Sequence, residues 1–584
     1  MKDITRRSFL RISGYALGGV VVSTGLQGCL DSSSSSRPTP SPLPQRQVSF
    51  DHGVASGDPL SDRIIIWTRV SPVGDDTSDI EIQWEVSSTA DFAELLHAGS
   101  ASTSATRDYT LKVDVQNLLP GRQYHYRFRS NGVTSPAGRM KTLPSAGVEQ
   151  VRFAVMSCSN FPTGYFHVYA EAARVADLDA VIHLGDYIYE YGTGGYGTAD
   201  AAALGRSLPA DNDTETLTLV DYRKRYALYR TDADLQALHA SAPFIAVWDD
   251  HEITNDTWRE GAENHDQDEG DFTERKLAAL QAYFEWMPIR PARADDEETI
   301  YRSFDYGDLV SLHMLDTRVI GRDEQLDYAN YITQSGFDAA AFARDIGDRQ
   351  RTLLGQEQLN WLQARLATST ATWQVLGQQV LMGRMLLPAE LLSSLLNPGA
   401  DLLTAFGELV AIKLRLAGGD PSVTLQERAR VETLVPYNLD AWDGYAYERE
   451  VVLGTSVALD KNLVVLAGDT HNGWANNLRT LDGTAAGVEF ATASVTSPGL
   501  EEYLGVPAEL IGQTEQAITT LVDDLEYLNA NQRGFMVVTF TAEEAQADWH
   551  YVSTVKARQY TIDETRGKTL VTRRGAANRK LSAA

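Results

Sequence analysis

The order of apolar and polar positions divides the chain into two textures. Between residues 46 and 146, short runs rich in β-branched and aromatic residues recur: Arg63-Ile-Ile-Ile-Trp-Thr-Arg69, Ile80-Glu-Ile-Gln-Trp-Glu-Val86, Tyr109-Thr-Leu-Lys-Val-Asp-Val115 and Gln123-Tyr-His-Tyr-Arg-Phe-Arg129. Alternation within these runs predicts strands with one buried face. Turn residues such as Gly121 and Pro144 punctuate them. Strands at this spacing predict a β-sandwich of immunoglobulin or fibronectin size. The segment holds no clustered catalytic chemistry and reads as a structural module packed on the rest.

From Val151 the texture changes to apolar strands that end in polar signatures. Val151–Met156 runs into Ser157-Cys-Ser-Asn160, Ala180–Leu184 into Gly185-Asp186, Phe244–Trp248 into Asp249-Asp-His-Glu252, and Leu463–Ala467 into Gly468-Asp-Thr-His471. Helical stretches at 219–239 and 356–368 lie between them. Layered α/β folds collect functional groups where strands end, so four such endings predict one site assembled from distant segments. Leu386 to Leu396 and Leu402 to Leu416 are apolar and read as a helical insertion near 385–430, chiefly added core.

Length and charge narrow the picture. A chain of 584 residues predicts two domains plus insertions. Net charge is -28, which repels nucleic acid. An anionic substrate then needs a locally positive site, and metal ions are one way to make it.

The start of the chain reads as an address. Thr5-Arg-Arg-Ser-Phe-Leu-Arg11 resembles a twin-arginine export signal spanning 1–28, recognised by the twin-arginine machinery. Leu26-Gln-Gly-Cys29 resembles a lipobox, making Cys29 the lipidation candidate. The Ser/Pro-rich segment 29–45 then serves as a tether. The expected location is periplasmic or cell-surface, with membrane contact through the anchor.

The second cysteine has a different expected role. Cys158 offers a thiolate, Asp186 can bridge two cations, and Tyr189 offers a phenolate. Asp250 and Asn255 are hard oxygen donors, with Asp249 a rival to Asp250. Asp469 and His471, two apart, face the same way in an extended segment. Soft and hard donors together suggest a trivalent iron held by Cys, Tyr and His beside a Ca2+ position held by oxygens. Taken singly, each has a plainer role: Cys158 as a small buried hydrophobe, Tyr189 as packing, Asp186 as a helix cap. His183 reads as core.

Ser157-Cys-Ser-Asn160, Gly185-Asp-Tyr-Ile-Tyr-Glu190, Trp248-Asp-Asp-His-Glu252 and Gly468-Asp-Thr-His471 resemble, in order, the motif series of the PhoD-type alkaline phosphatases. His52-Gly-Val-Ala-Ser-Gly-Asp-Pro59 resembles the start of that family's N-terminal domain. The resemblance implies a four-layer α/β/β/α metallophosphoesterase core over 147–560, related to the purple acid phosphatases, then a tail over 561–584. It implies Fe3+ and Ca2+: Cys158, Asp186, Tyr189 and His471 as iron ligands, and Asp186, Asp250, Asn255 and Asp469 facing calcium. His251, Asp250 and Asn255 are the catalytic candidates, with His251 touching substrate. Arg318, after Asp316-Thr317, reads as an ion pair first and a phosphate contact second. Tyr445, in Trp442-Asp-Gly-Tyr445, reads as pocket floor and a second substrate-contact candidate. The expected reaction is metal-hydroxide attack on the phosphorus of phosphomonoesters or phosphodiesters. A phospholipase D-like phosphodiesterase is the alternative within the family. An iron oxidoreductase is more remote, since no dinucleotide-binding glycine fingerprint or second cysteine cluster is present. A non-catalytic surface binding protein, with the sandwich as its working module, completes the range.

Overall fold

The computed structural model describes residues 46–584 except 75, 293–295, 335 and 392–401. The export signal, Cys29 and the tether, as well as the middle of the apolar insertion, lie outside the described residues.

Two sheets build the core. The first has ten strands in the order Ser582–Ala583, Lys568–Arg573, Glu544–Tyr551, Gly534–Thr541, Gln150–Met156, Ala180–His183, Phe244–Ala246, Val54–Gly57, Arg63–Arg69, Thr110–Gln116. The second has seven: Arg302–Tyr306, Val310–Met314, Trp373–Gly377, Leu463–Ala467, Ala485–Ala491, Gly473–Arg479, Leu525–Asn529. The central strands of both sheets run parallel, and parallel strands are covered on both faces. That is why Leu463–Ala467 is a continuous apolar run. Its Val464 and Leu466 join a core shared with Phe153 and Val155 of the first sheet. Leu463, Val465 and Ala467 point the other way, into a core with Leu362, Leu366, Val452 and Leu453 of the helices Gly355–Thr368 and Ala446–Ala458. Helices His167–Ala173, Leu219–Arg230, Ala233–Ser241 and Phe272–Trp286 contribute to the first core. The result is an α/β fold with two large sheets back to back and helices outside.

The N-terminal region is β-rich as expected, and its contact with the rest is a shared sheet. Its strands Val54–Gly57, Arg63–Arg69 and Thr110–Gln116 continue the first sheet. A second face, Gly138–Lys141, Gln123–Ser130, Ile80–Ser87 and Leu95–Thr103, packs onto them around Ile64, Ile66, Val113, Trp84 and Tyr126. Trp67, on the opposite face of its strand, donates to the Glu285 carbonyl at 2.8 Å. Sandwich and core therefore share one sheet.

Three local readings change. Residues 561–584 are not a free tail: Lys568–Arg573 and Ser582–Ala583 extend the first sheet. The stretch 219–239 is two helices, because Asp232 caps a new one by accepting from the amides of Asp234 and Leu235. Leu386–Pro388 is a strand paired with Leu434–Pro436, a partner too remote to read from local pattern, whereas Leu402–Ala417 is helical.

Candidate active site

The carboxyl ends of four strands, three in the first sheet and one in the second, converge as expected for layered α/β folds. The loop at 492–498 stitches the two sheets together there. Val495 donates to the Ser157 carbonyl at 3.0 Å, and Thr492 Oγ1 to the Val155 carbonyl at 3.1 Å.

At these ends the backbone turns sharply. Cys158, Asp186, Asp469 and His471 have φ of 62°, 55°, 62° and 63°, the left-handed region that costs a non-glycine residue of order 1–3 kcal/mol. Gly185, at φ 105°, gives the chain room: a Cβ there would sit 2.5 Å from the Asp249 amide nitrogen. Such strain persists where surroundings fix it. The fully buried Glu252 is one such support, its carboxylate accepting from the amides of Asp186 at 3.0 Å, Tyr187 at 2.5 Å and Asp249 at 2.7 Å.

The turns bring donor atoms together. Ligand atoms of Cys158, Asp186 and His471 lie within 4.8 Å of one another, as do those of Asp186, Asp250 and His251. Asp186 belongs to both groups. Tyr189 Oη donates to Asp186 Oδ2 at 3.0 Å and lies 3.2 Å from His471 Nε2. Asp469 is tied in through Arg318 Nη2 at 3.4 Å. Asn255 donates its side-chain amide to Glu263 at 2.9 Å, and its backbone amide to Glu190 at 2.8 Å.

Charge is the dominant feature. Burial, then Asp186, pushes the Cys158 thiol well up, and burial does the same to Tyr189, again with Asp186 adding to it. Burial drives Asp186 and Asp469 well above the usual carboxylate range, and Asp249 up to about 7. Asp250 is held low instead, because Arg318 and His251 outweigh its burial. Burial opposes charge on His251, but Glu190 and Asp250 overcome it and raise its pKa.

Arg318 is wholly buried and contacts Asp249 at 2.5 Å, Asp440 at 2.8 Å and Asp469 at 3.4 Å, with Asp250 at 3.9 Å. It is the ion pair of the first expectation, enclosed by carboxylates. Tyr445 is also buried. Its hydroxyl donates to the Asp323 carbonyl at 2.7 Å, and its ring receives Arg322 and Arg351. Arg322 in turn pairs with Asp440. Both substrate-contact candidates are thus occupied by protein partners.

A metal ion fits this donor set. The Asp186 Oδ1 and Asp249 Oδ2 atoms are buried without a hydrogen-bond partner among the described residues, and buried carboxylates are otherwise paired or hold metals. Thiol, phenol, imidazole and carboxylate groups gathered in one buried pocket suit a cation far better than one another.

Several supporting residues were not assigned roles from sequence. Glu190 lies inside a quoted motif, yet its role appears only in space: its Oε2 is 2.8 Å from His251 Nδ1. Ser497 Oγ lies 2.7 Å from Tyr189 Oη. Tyr196 Oη lies 3.3 Å from His471 Nδ1, which is also 2.6 Å from the Pro498 carbonyl. These occupy Nδ1 and leave Nε2 turned toward Tyr189 and Asp186.

Comparison with known proteins identifies the family. The profile of the PhoD-like phosphatase family matches residues 153–549, and that of its N-terminal domain residues 34–144. Alkaline phosphatase D of Bacillus subtilis (strain 168) is 33% identical over 514 residues, 86% of this chain and 77% of that protein. A solved structure described as PhoD superposes with a TM-score of 0.72 at 31% identity, covering 94% of each chain. The chain belongs to the PhoD-like phosphatase family.

Proposed function

We propose that the chain is an exported, metal-dependent hydrolase of phosphomonoesters or phosphodiesters. The observation that carries this reading is the buried, charge-excess donor cluster with Asp186 common to both groups. Cys158, Tyr189, His471 and Asp186 would hold an Fe3+. Asp186, Asp250, Asp469 and the amide oxygen of Asn255 would hold a Ca2+ beside it. Such ions, when bound, supply Lewis-acid charge to phosphoryl oxygens and acidify water.

The chain's own groups do the positioning. Glu190 holds His251 Nδ1, which leaves Nε2 to face the reacting group. Stacking of the His251 and Tyr189 rings at 4.2 Å keeps that orientation. From there His251 contacts the phosphoryl oxygen or gives a proton to the departing alcohol. Arg318 and Tyr445 act as supports for Asp249 and the Arg322–Asp440 pair. The first 28 residues would address the twin-arginine route and Cys29 the lipid anchor. Among the described residues no helix is long and apolar enough to cross a membrane.

The test is a comparison of leaving groups. His251→Gln should lower kcat about a hundredfold for an alkyl phosphate ester, and distinctly less for a p-nitrophenyl ester whose leaving group needs no proton. An equal loss for both, at unchanged metal content, removes the proton-donor role.

A further inference from the structure

The loop at 492–498 that joins the two sheets meets the donor cluster at Ser497, a fully buried residue. Hydrogen bonds fix its position. Ser494 Oγ donates to the Ser497 carbonyl at 2.6 Å. The Thr496 and Ser497 amides both donate to the Cys158 carbonyl, at 3.3 and 3.4 Å. A carbonyl oxygen has two lone pairs, so these two amides already fill it. The Ser497 hydroxyl has one proton to give and two acceptors in reach: that same carbonyl at 3.1 Å and Tyr189 Oη at 2.7 Å. Tyr189 is both the nearer acceptor and the one with room for the bond.

The other neighbours of Tyr189 Oη are Asp186 Oδ2 at 3.0 Å and His471 Nε2 at 3.2 Å. Both belong to the donor set, and with an ion in place each turns a lone pair to it. Tyr189 then binds as a phenolate, having lost the proton that it donates to Asp186 in the metal-free protein. Among the described residues, Ser497 is the group left at that oxygen with a proton to offer.

We infer that Ser497 is a positioning residue for the Tyr189 phenolate: its hydroxyl orients the oxygen toward the metal position and draws charge from it. The inference rests on the metal-centre reading and deepens it with a residue outside the ligand set. The contact becomes a charge-assisted O–H···O− bond in a buried site, where such bonds are strongest. Drawing charge from the phenolate leaves more Lewis acidity on the ion for phosphoryl oxygens. Loss of a hydrogen bond of this kind to a ligand lowers metal affinity about tenfold to a hundredfold.

The Fe3+-loaded protein reports this contact through its phenolate-to-iron charge-transfer absorption. Without the hydrogen bond the phenolate is a more electron-rich donor, and the band moves to longer wavelength. Ser497→Thr and Ser497→Val have the same shape and differ in the hydroxyl, so steric effects cancel between them. The Thr variant should keep the wild-type band. The Val variant should show the red shift and release Fe3+ to a competing chelator at about tenfold lower chelator concentration. The wild type carries a test that needs no variant. In its resonance Raman spectrum the phenolate C–O mode should shift on exchange into D2O, because the partner proton is exchangeable. Bands at the same wavelength in the Thr and Val variants, or a C–O mode insensitive to D2O, overturn the inference and leave the metal centre standing. Wild-type protein that takes up no Fe3+, or takes it up without a phenolate band, overturns the iron assignment and the inference with it.

Discussion

Asp186→Asn is expected to lower kcat/KM for phosphoester hydrolysis by about a thousandfold or more, since a Lewis-acid centre supplies several kcal/mol to the transition state. Asp186 is the residue shared by both donor groups, so its loss weakens both cation positions at once. The substitution is close to isosteric and replaces a buried carboxylate whose Oδ1 has no hydrogen-bond partner among the described residues. The metal-free variant should therefore be at least as stable as the metal-free wild type. Steady-state kinetics, metal content by elemental analysis and thermal unfolding separate the two effects. A variant that keeps wild-type turnover and wild-type metal would contradict the assignment.

Arg318→Met is expected to cost about 3–5 kcal/mol of stability, because it strands buried carboxylates without their cation. Asp249 depends on it most: its Oδ1 is held by Arg318 and its Oδ2 has no hydrogen-bond partner among the described residues. Adding Asp249→Asn should recover a good part of the loss, a coupling that a double-mutant cycle by chemical denaturation measures. Independent, additive effects would show that the pair is not the support described here.

The parts of this fold that the sequence makes legible are those where local pattern and burial agree. Leu463–Ala467 reads as a strand because both of its faces are covered, and its polar ending at Asp469 and His471 marks where the chain leaves the sheet. Cys158 and Asp186 were legible in the same way, by position at a strand end and by family motif. Contacts between remote segments were not. Glu190 meets His251 across 61 positions, and Glu252 caps Asp186 across 66. Neither separation leaves a periodic trace. The sharing of one sheet between the N-terminal sandwich and the core was hidden for the same reason, since Val54–Gly57 pairs with Phe244–Ala246. Arg318 carried a readable ion-pair signal, but the number of carboxylates around it comes only from the packing of four loops.

Metal dependence is the claim on which the rest of the account stands. The direct measurement is hydrolysis of one chromogenic monoester and one diester by purified protein of known metal content, before chelation, after it, and after Fe3+ and Ca2+ are returned. The account predicts bound metal in the protein as isolated, loss of hydrolysis to background as metal leaves, and recovery when the ions are restored. Full hydrolysis by protein shown to be free of metal would contradict it.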